Sequence, residues 1–400
     1  MTRPIAALEA WLTRDRALAV AVMLVPVMLI LETAEIWLNP AFLGRFPFGH
    51  DFVAFWLAAR LAATGAFSVL YDDARFAALQ EAISVRPGYL EWHYPPTYLM
   101  ALRPLAGLGF PAAWAVFSAG GIAALACVGR RVLPVPGRLG WVALLGAPVI
   151  GVTLVQGQNG AWVAAALLGG LWAREKGWGW LAALCFSVLV AKPHLALALP
   201  VALIAARDWR LIGQTALIAA GWVGLSALTL GPVPWQLFFA NLGTVSTTLS
   251  DPILQAQMPT AYAAARLVGL PVWLAVAGQS LSALVALALV WRFWAGAQTR
   301  AEDPAGPDLR VAAVLMAVLL VPPYGFRYDM VTALVATLAL ARVAVRQGWL
   351  PGERLTVAAL WAGPALFPAA TLFVPVQTGF FLQLLGLWAI WRRRPPRSVR

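Results

Sequence analysis

Long apolar segments separated by very few charges are the feature that most restricts how this chain can fold. Of its 400 residues, 61% are apolar and only 12% are charged, whereas an ordinary soluble domain carries about 25% charged residues. A transmembrane helix needs roughly 20 apolar residues, so the apolar content is sufficient for about twelve spans. The composition therefore excludes a soluble enzyme, a secreted disulfide scaffold and a disordered chain, and it predicts an all-α polytopic membrane protein.

We predict one integral membrane domain over residues 1–400, built as a bundle of about twelve transmembrane helices. The predicted spans are 17–38, 111–129, 139–155, 159–173, 178–191, 193–206, 211–230, 272–291, 309–323, 329–344, 355–371 and 372–391. Several are shorter than a full crossing and contain Pro or Gly, which is tolerated where neighbouring helices or a cavity satisfy the backbone. The first run lacks a convincing cleavage site, so we expect it to remain as a helix.

Basic residues indicate the orientation of this bundle. The chain has 29 Lys and Arg against 17 Asp and Glu, a net charge of +12. With the N-terminus in the cytoplasm, 21 of the 29 basic residues fall on the cytoplasmic side and 8 outside, in agreement with the positive-inside rule. We therefore expect both termini in the cytoplasm and an even number of spans, and we expect no nucleic-acid partner for the positive charge.

The outer side of this topology carries the longest polar segments. The first periplasmic loop covers residues 39–95 and the second covers residues 231–258. Apolar side chains recur at helical spacing in two parts of the first loop, which predicts two amphipathic helices at the membrane surface. These side chains are Phe52, Phe55, Trp56 and Ala59 in one part, and Phe76, Leu79 and Ile83 in the other. Residues 95–108 are too short to span and predict an interfacial or re-entrant helix.

Asp51, in the sequence Gly49-His50-Asp51-Phe52, is the first candidate for chemistry. All three histidines and most acidic residues fall on the outer side, and ionisable groups at membrane depth are functional candidates by default. A carboxylate at the membrane surface could act as a general base toward a hydroxyl group. The structural alternative is that Asp51 caps the helix that follows it.

Nine polar and aromatic residues on the outer side are candidates for lining a substrate cavity. The full set is His50, His93, Tyr94, Gln156, Gln158, Asn159, His194, Tyr328 and Asp329. The amides between two closely spaced spans have an equally weighted alternative, since they could simply hydrogen-bond neighbouring helices. The segment Trp92-His93-Tyr94-Pro95-Pro96 also has an ordinary explanation, because Pro is common in the first turn of a helix.

Three outer cations are candidates for binding a phosphate carried by a lipid: Lys192, Arg266 and Arg327. Arg suits bidentate phosphate contacts. Lys192 could instead extend to the membrane interface, and Asp329 could be the partner of Arg327 in an ion pair without a catalytic task. The histidines and acids lack the spacing of a metal motif, so we expect no metal and no cofactor.

Taken in order, these segments resemble glycosyltransferase family 87. The resemblance rests on Asp51-Phe52, Gly65 with Leu70-Tyr71-Asp72, Tyr94-Pro95-Pro96 with Pro104-Leu105, Gly157-Gln158-Asn159, Lys192-Pro193 and Asp208-Trp209-Arg210. It covers residues 45–215, and the rest of the chain is similar only in hydropathy. Members of this family often carry a His in a late outer loop. The nearest equivalents in this chain are Tyr328 and Arg327.

The resemblance implies a GT-C fold and an α-1,2-mannosyltransferase-like activity. Asp51 matches the catalytic base of the family, and Lys192 matches its Lys-Pro pair. The implied donor is a polyprenyl-phosphate-linked sugar, and the implied acceptor is a lipid or a glycan. Membrane lipids surround the protein, and the site faces the periplasm from a bacterial inner membrane.

The implied reaction is an inverting displacement with Asp51 as general base, in which the outer cations stabilise the departing lipid phosphate. Two other functions stay open from the sequence. One is a transporter or a flippase for lipid-linked sugars, since broken helices and charges at membrane depth also occur in transporters. The other is an inactive partner in the assembly of an envelope polysaccharide.

Overall fold

A computed structural model of the chain describes residues 3–13, isolated positions between 16 and 30, and residues 48–83, 90–295, 305–371 and 376–393. Every regular element within these ranges is helical, which confirms the all-α class. The predicted first span, 17–38, lies for the most part outside the described residues, as do residues 39–47 and 84–89 of the first outer loop.

The described α-helices are numbered in chain order. They are α1 (Arg3–Trp11), α2 (Phe52–Thr64), α3 (Phe67–Leu70), α4 (Asp73–Glu81), α5 (Pro96–Leu102), α6 (Phe110–Gly129), α7 (Arg138–Leu145), α8 (Pro148–Gln156), α9 (Gly160–Glu175), α10 (Gly179–Ser187), α11 (Ala198–Ala205), α12 (Trp209–Leu230), α13 (Val233–Ala240), α14 (Val245–Ser250), α15 (Pro252–Gln257), α16 (Ala261–Leu267), α17 (Val272–Trp294), α18 (Gly306–Ala317), α19 (Val331–Gln347), α20 (Glu353–Thr371) and α21 (Thr378–Arg392). Short 3-10 helices cover Arg103–Gly107, Val188–Ala191, Pro193–Ala196, Leu242–Thr244 and Arg327–Met330.

Four of the described helices are long and apolar enough to cross a membrane. They are α6, α12, α17 and the continuous stretch Arg327–Gln347, and the pair α7 and α8, bent by 48°, makes a fifth if it forms one span. A helix lies in each predicted span from residue 111 onward, but the count of twelve spans is not confirmed. Many of these helices are too short to cross alone because Pro and Gly break them; Pro148 and Pro193, for example, each begin a new helix.

α19 forms the centre of the bundle, and the long helices α12 and α17 lie outside it. In the apolar part of Arg327–Gln347, 89% of the residues are buried inside the protein, compared with 17% in α12. The outer helices expose large apolar side chains, including Leu228, which is 86% exposed, and Trp273, which is 68% exposed. Such a surface is stable against lipid rather than against water, which agrees with a membrane protein.

Both helices predicted in the first outer loop are present, as α2 and α4. α2 differs from an interfacial helix because it is buried on most of its circumference, with Phe52 and Ala58 fully inaccessible. It packs against α5, the 3-10 helix at Arg103–Gly107 and α6. The indole of Trp56 donates a hydrogen bond to the Leu108 carbonyl at 2.9 Å. The apolar residues that suggested a membrane surface therefore contact protein.

The buried carboxylate of Asp308 belongs to an ion-pair cluster at the C-terminal end of α19. Asp308 in α18 is 1% exposed and pairs with Arg131, Arg342 and Arg346 at 2.5, 3.4 and 3.3 Å. Arg131, which follows α6, also pairs with Glu175 of α9 at 3.0 Å. Since an α-helix rises 1.5 Å per residue, this cluster lies roughly 20 Å along α19 from Asp329, and it stabilises the bundle away from the candidate site.

Candidate functional site

Asp51 stands at the start of α2, but its side chain does not cap that helix. The residue has helical backbone angles, φ −86° and ψ −27°, and no capping hydrogen bond. Its carboxylate oxygen Oδ2 instead accepts a hydrogen bond from Nε2 of Gln158 at 3.0 Å. The other oxygen, Oδ1, lies 3.6 Å from Nε2 of His50, and the Asp51 side chain keeps 18% exposure. The carboxylate is therefore held by another segment and stays accessible.

Two tight turns hold Asp51 and Gln158 together. The amides of Gly49 and Asp51 donate to the carbonyls of Val155 and Gln156 at 2.7 and 3.1 Å. Gly49 and Gly157 both have left-handed backbones, with φ of 74° and 72°. A Cβ atom on Gly157 would lie 2.5 Å from Cβ of Phe52, so only glycine lets the two turns approach this closely.

The next residue of the same turn, Asn159, contacts a buried ion pair. Nζ of Lys192 lies 2.6 Å from Oδ1 of Asp329 and donates to Oδ1 of Asn159 at 3.1 Å. Lys192 is 4% exposed and Asp329 is inaccessible. The second oxygen of Asp329 accepts from the Phe326 amide at 3.1 Å, and the Lys192 ammonium lies 4.9 Å from the centre of the Tyr328 ring. Lys192, rather than Arg327, is thus an observed ion-pair partner of Asp329.

Gln156 connects Arg327 to the same turn. In the amide orientation that satisfies both residues, its side-chain oxygen accepts from Nη2 and Nε of Arg327 at 2.8 and 3.2 Å. Arg327 is 5% exposed. The backbone of Gly160 packs directly on the carbonyl of Tyr328, where any Cβ would collide. The segments 155–160 and 326–330 are therefore in direct contact.

Tyr94 and Tyr98 lie on the other side of Asn159. Nδ2 of Asn159 donates to their hydroxyl oxygens at 3.4 and 3.2 Å, respectively. The two rings are 4.6 Å apart, and both meet Phe55 of α2 edge-on. Burial raises the pKa of both phenols well above the usual value for tyrosine, so both stay protonated at neutral pH.

The remaining histidines do not contact Asp51. Nε2 of His93 lies 2.7 Å from Glu91 and 3.1 Å from the hydroxyl of Thr248, which itself donates to Glu91 at 2.8 Å. This arrangement joins the first outer loop to α14. Burial lowers the pKa of His93, although Glu91 acts in the opposite direction. The ring of His194 packs edge-on against Tyr324 at 5.3 Å.

Arg266 is not observed in contact with this network among the described residues. Its Nη1 donates to the carbonyl of Leu270 at 2.7 Å, within the turn between α16 and α17. Within the same residues, no group of three or more His, Cys, Asp or Glu side chains is arranged to hold a metal ion.

An open groove of about 510 Å³ lies between α17 and the residues that follow α18. Its walls are the side of α17, the end of α14, Tyr262 of α16, and the residues Val321 and Pro323. Gln279 also lines the groove, and it donates to the carbonyls of Leu320 and Pro322 at 2.9 and 3.0 Å. The groove is therefore mostly apolar.

The structure brings together most of the residues that the sequence singled out for the site. The turn that begins at Gln156 connects Asp51, Arg327, Lys192, Asp329 and Tyr94, and Lys192 stacks on Tyr328. The sequence interpretation missed Tyr98, although it lies only four residues after Tyr94. It also did not predict the contact between Glu91 and Thr248, because that contact depends on how the two outer loops meet.

Comparison with known proteins assigns the chain to a family. No curated protein and no solved structure matches the chain at a significant level. The model of glycosyltransferase family 87 matches residues 92–323, which is more than half of the chain and includes the Gln158 turn, Lys192 and the start of the late outer loop. The helical membrane bundle described above therefore belongs to glycosyltransferase family 87.

Proposed function

We propose that this glycosyltransferase moves a hexose, with mannose as the first candidate, from a polyprenyl-phosphate donor to a hydroxyl of a lipid or glycan acceptor. The reaction inverts the anomeric centre and takes place at the periplasmic face of a bacterial inner membrane. The observation that carries the proposal is the Asp51 carboxylate, which is oriented by Gln158 instead of capping its helix and stays partly exposed.

In this reaction Asp51 acts as the general base. The acceptor hydroxyl loses its proton to the carboxylate while its oxygen attacks the anomeric carbon, and the bond from that carbon to the phosphate oxygen breaks. Oδ2 accepts from Gln158, which keeps the carboxylate oriented while it takes the proton. The carboxylate also stabilises the cationic character that develops on the sugar.

The departing phosphate needs positive charge and hydrogen-bond donors. Arg327 and Lys192 both belong to the network around the Gln158 turn, and we assign them to the phosphate side of the site. The charge of Lys192 is balanced by Asp329, so Lys192 would act on the phosphate mainly as a hydrogen-bond donor. Arg266 was a third candidate from sequence, and its observed contact with Leu270 gives no support for that role.

The apolar groove beside α17 supports a lipid-linked donor. Its volume of about 510 Å³ lies within the usual range for ligand pockets, roughly 300–1,000 Å³. An isoprenoid chain is apolar and needs a water-free surface, whereas a nucleotide-sugar donor would need polar contacts along its length. The polar residues are concentrated instead around Asp51 and Asp329, where a sugar phosphate would lie.

Sugar transfer by purified protein in proteoliposomes tests this function. The donor is polyprenyl-phosphate mannose carrying a labelled sugar, and the product is a labelled lipid or glycan. Asp51→Asn keeps the shape of the side chain but removes the base, so we expect at least a hundredfold loss of rate, the lower end of what general-base catalysis contributes.

Asp72→Asn is the matched control, because the Asp72 side chain caps α4 through the Arg75 amide and takes no part in the site. Equal transfer by the Asp51→Asn variant and the wild-type protein would remove the base from the mechanism. Movement of the intact donor across the vesicle membrane, with no labelled product, would instead support a flippase.

A further inference from the structure

The direction of the hydrogen bonds around Asn159 is fixed by its neighbours. The ammonium of Lys192 has only donors, so Asn159 must turn its oxygen toward Lys192, at 3.1 Å. Its amide nitrogen therefore faces the hydroxyl oxygens of Tyr98 and Tyr94, at 3.2 and 3.4 Å. The buried Asp329 holds Lys192 in place at 2.6 Å. Rotation of the Asn159 amide would turn its nitrogen toward this ammonium, where two donors would face each other.

This direction determines what the two phenols can do. Each phenol oxygen accepts a hydrogen bond from Asn159, so its own proton has to point elsewhere. Among the residues that the structure describes, no acceptor is observed for either proton. The rings are 4.6 Å apart, so the two O–H groups lie close together as a pair of neutral donors.

The pair borders the region around Asp51. Both rings contact Phe55, which follows Asp51 by one helical turn in α2. Asn159, which donates to both phenols, directly follows Gln158, which donates to Asp51 at 3.0 Å. The ring of Tyr328 stacks on Phe326 at 5.5 Å. Aromatic rings therefore surround the two donors, a composition that suits the apolar faces of a sugar.

We propose that Tyr94 and Tyr98 form a subsite that donates two hydrogen bonds to oxygen atoms in the head group of the sugar donor. Asn159 is the positioning residue that turns the two phenol protons toward this head group. The acceptor oxygens belong either to the phosphate or to the sugar hydroxyls, and both take a hydrogen bond from a phenol. Neutral hydrogen-bond donors suit this subsite because the charge of the neighbouring Lys192 is already balanced by Asp329. This inference rests on the proposed function, since it assumes a sugar-phosphate donor.

Steady-state kinetics of tyrosine variants test the subsite. We expect Tyr94→Phe and Tyr98→Phe each to raise the KM for the donor about five- to tenfold, the usual effect of one lost hydrogen bond. The KM for the acceptor should stay unchanged. Tyr71→Phe is the control, because Tyr71 is a tyrosine of the first outer loop that has no observed contact with Asn159.

The Asn159→Asp variant separates the direction of the phenol hydrogen bonds from the packing of the two rings. A carboxylate at this position accepts from Lys192 and from both phenols, so the phenols would turn their protons inward although both hydroxyls are present. We expect the donor KM to rise as much as in the double Tyr94→Phe, Tyr98→Phe variant. Loss of ring packing cannot explain this result, because the substitution preserves the volume of the side chain.

Inhibition by polyprenyl phosphate without a sugar distinguishes the two acceptor sources. Weaker inhibition of the tyrosine variants identifies phosphate oxygens, and unchanged inhibition with a raised donor KM identifies sugar hydroxyls. The subsite is overturned if both tyrosine variants and Asn159→Asp keep the wild-type donor KM while Asp51→Asn stays inactive. Full activity of Asp51→Asn would instead remove the proposed base, and equilibrium binding of the donor would then still test the tyrosine pair.

Discussion

The ion pair of Lys192 and Asp329 gives the sharpest test of the structure through protein stability. Replacing Asp329 with Asn preserves the shape of the side chain but leaves the Lys192 ammonium, 4% exposed, without its counter-charge. At 2.6 Å and an effective dielectric constant of about 20, the Coulomb attraction is roughly 6 kcal/mol. Part of it offsets the desolvation of both ions, so we expect the free energy of unfolding to fall by about 3–5 kcal/mol.

A double-mutant cycle isolates this interaction from the other contacts of both residues. Lys192→Met alone leaves Asp329 buried and uncompensated, so it should destabilise the protein by a similar amount. The double variant has no buried charge, and it should be more stable than the sum of the single effects predicts, by about 2–3 kcal/mol. The pair Arg174 and Asp208, 2.9 Å apart and partly exposed, is the control cycle, with an expected coupling below about 1 kcal/mol.

The measurement is unfolding of purified protein in mixed detergent micelles, titrated with a denaturing detergent and followed by tryptophan fluorescence. The same samples should be checked for a single size-exclusion peak, so that aggregation is not mistaken for unfolding. Additive single effects, or an Asp329→Asn variant as stable as the wild-type protein, would refute the buried pair.

Three further predictions concern other parts of the molecule. Gly157→Ala should reduce the free energy of unfolding by about 1–3 kcal/mol more than Gly65→Ala, because both glycines have left-handed backbones but only Gly157 faces a packed neighbour; equal losses in a detergent titration would contradict this. Asp308→Asn should destabilise the protein by about 3 kcal/mol in the same titration, because it leaves three arginines without their shared carboxylate; an effect within about 0.5 kcal/mol would rule out that network. Because burial lowers the pKa of His93 below its ordinary 6.5, the unfolded chain binds the proton more readily, and stability should be lost as pH falls below that value. His93→Gln should remove this part of the pH dependence in thermal unfolding between about pH 5 and 7. A variant with the same pH profile as the wild-type protein would contradict this assignment to His93.

The membrane class and most helix positions could be predicted from the sequence because they depend on local composition. A run of apolar residues forms a helix in lipid whatever its neighbours are, since each backbone group must find its partner within the segment. The number of full crossings could not be predicted in the same way. It depends on whether two short helices, such as α7 and α8, continue one another at a bend, and tertiary packing sets that angle.

The helices of the first outer loop show a second limit of sequence reasoning. Apolar residues at helical spacing predict a helix with an apolar face, and α2 forms as expected. The same pattern cannot say whether this face meets lipid or protein, because both are equally apolar. In the structure Phe52 and Phe55 contact aromatic side chains of α5 and α6, so the loop becomes part of the wall around the site.

The sequence by itself determined that this is a helical membrane protein and which polar residues were candidates for chemistry, because composition and charge suffice for both. Only the tertiary structure decided how these residues pair. It brought Gln158 to Asp51, Asp329 to Lys192 and Asn159 to Tyr98 across separations of 107, 137 and 61 residues. The physical reason is that hydrogen bonds and ion pairs act over about 3 Å, a distance that helix packing and tight glycine turns set and that spacing along the chain does not reveal.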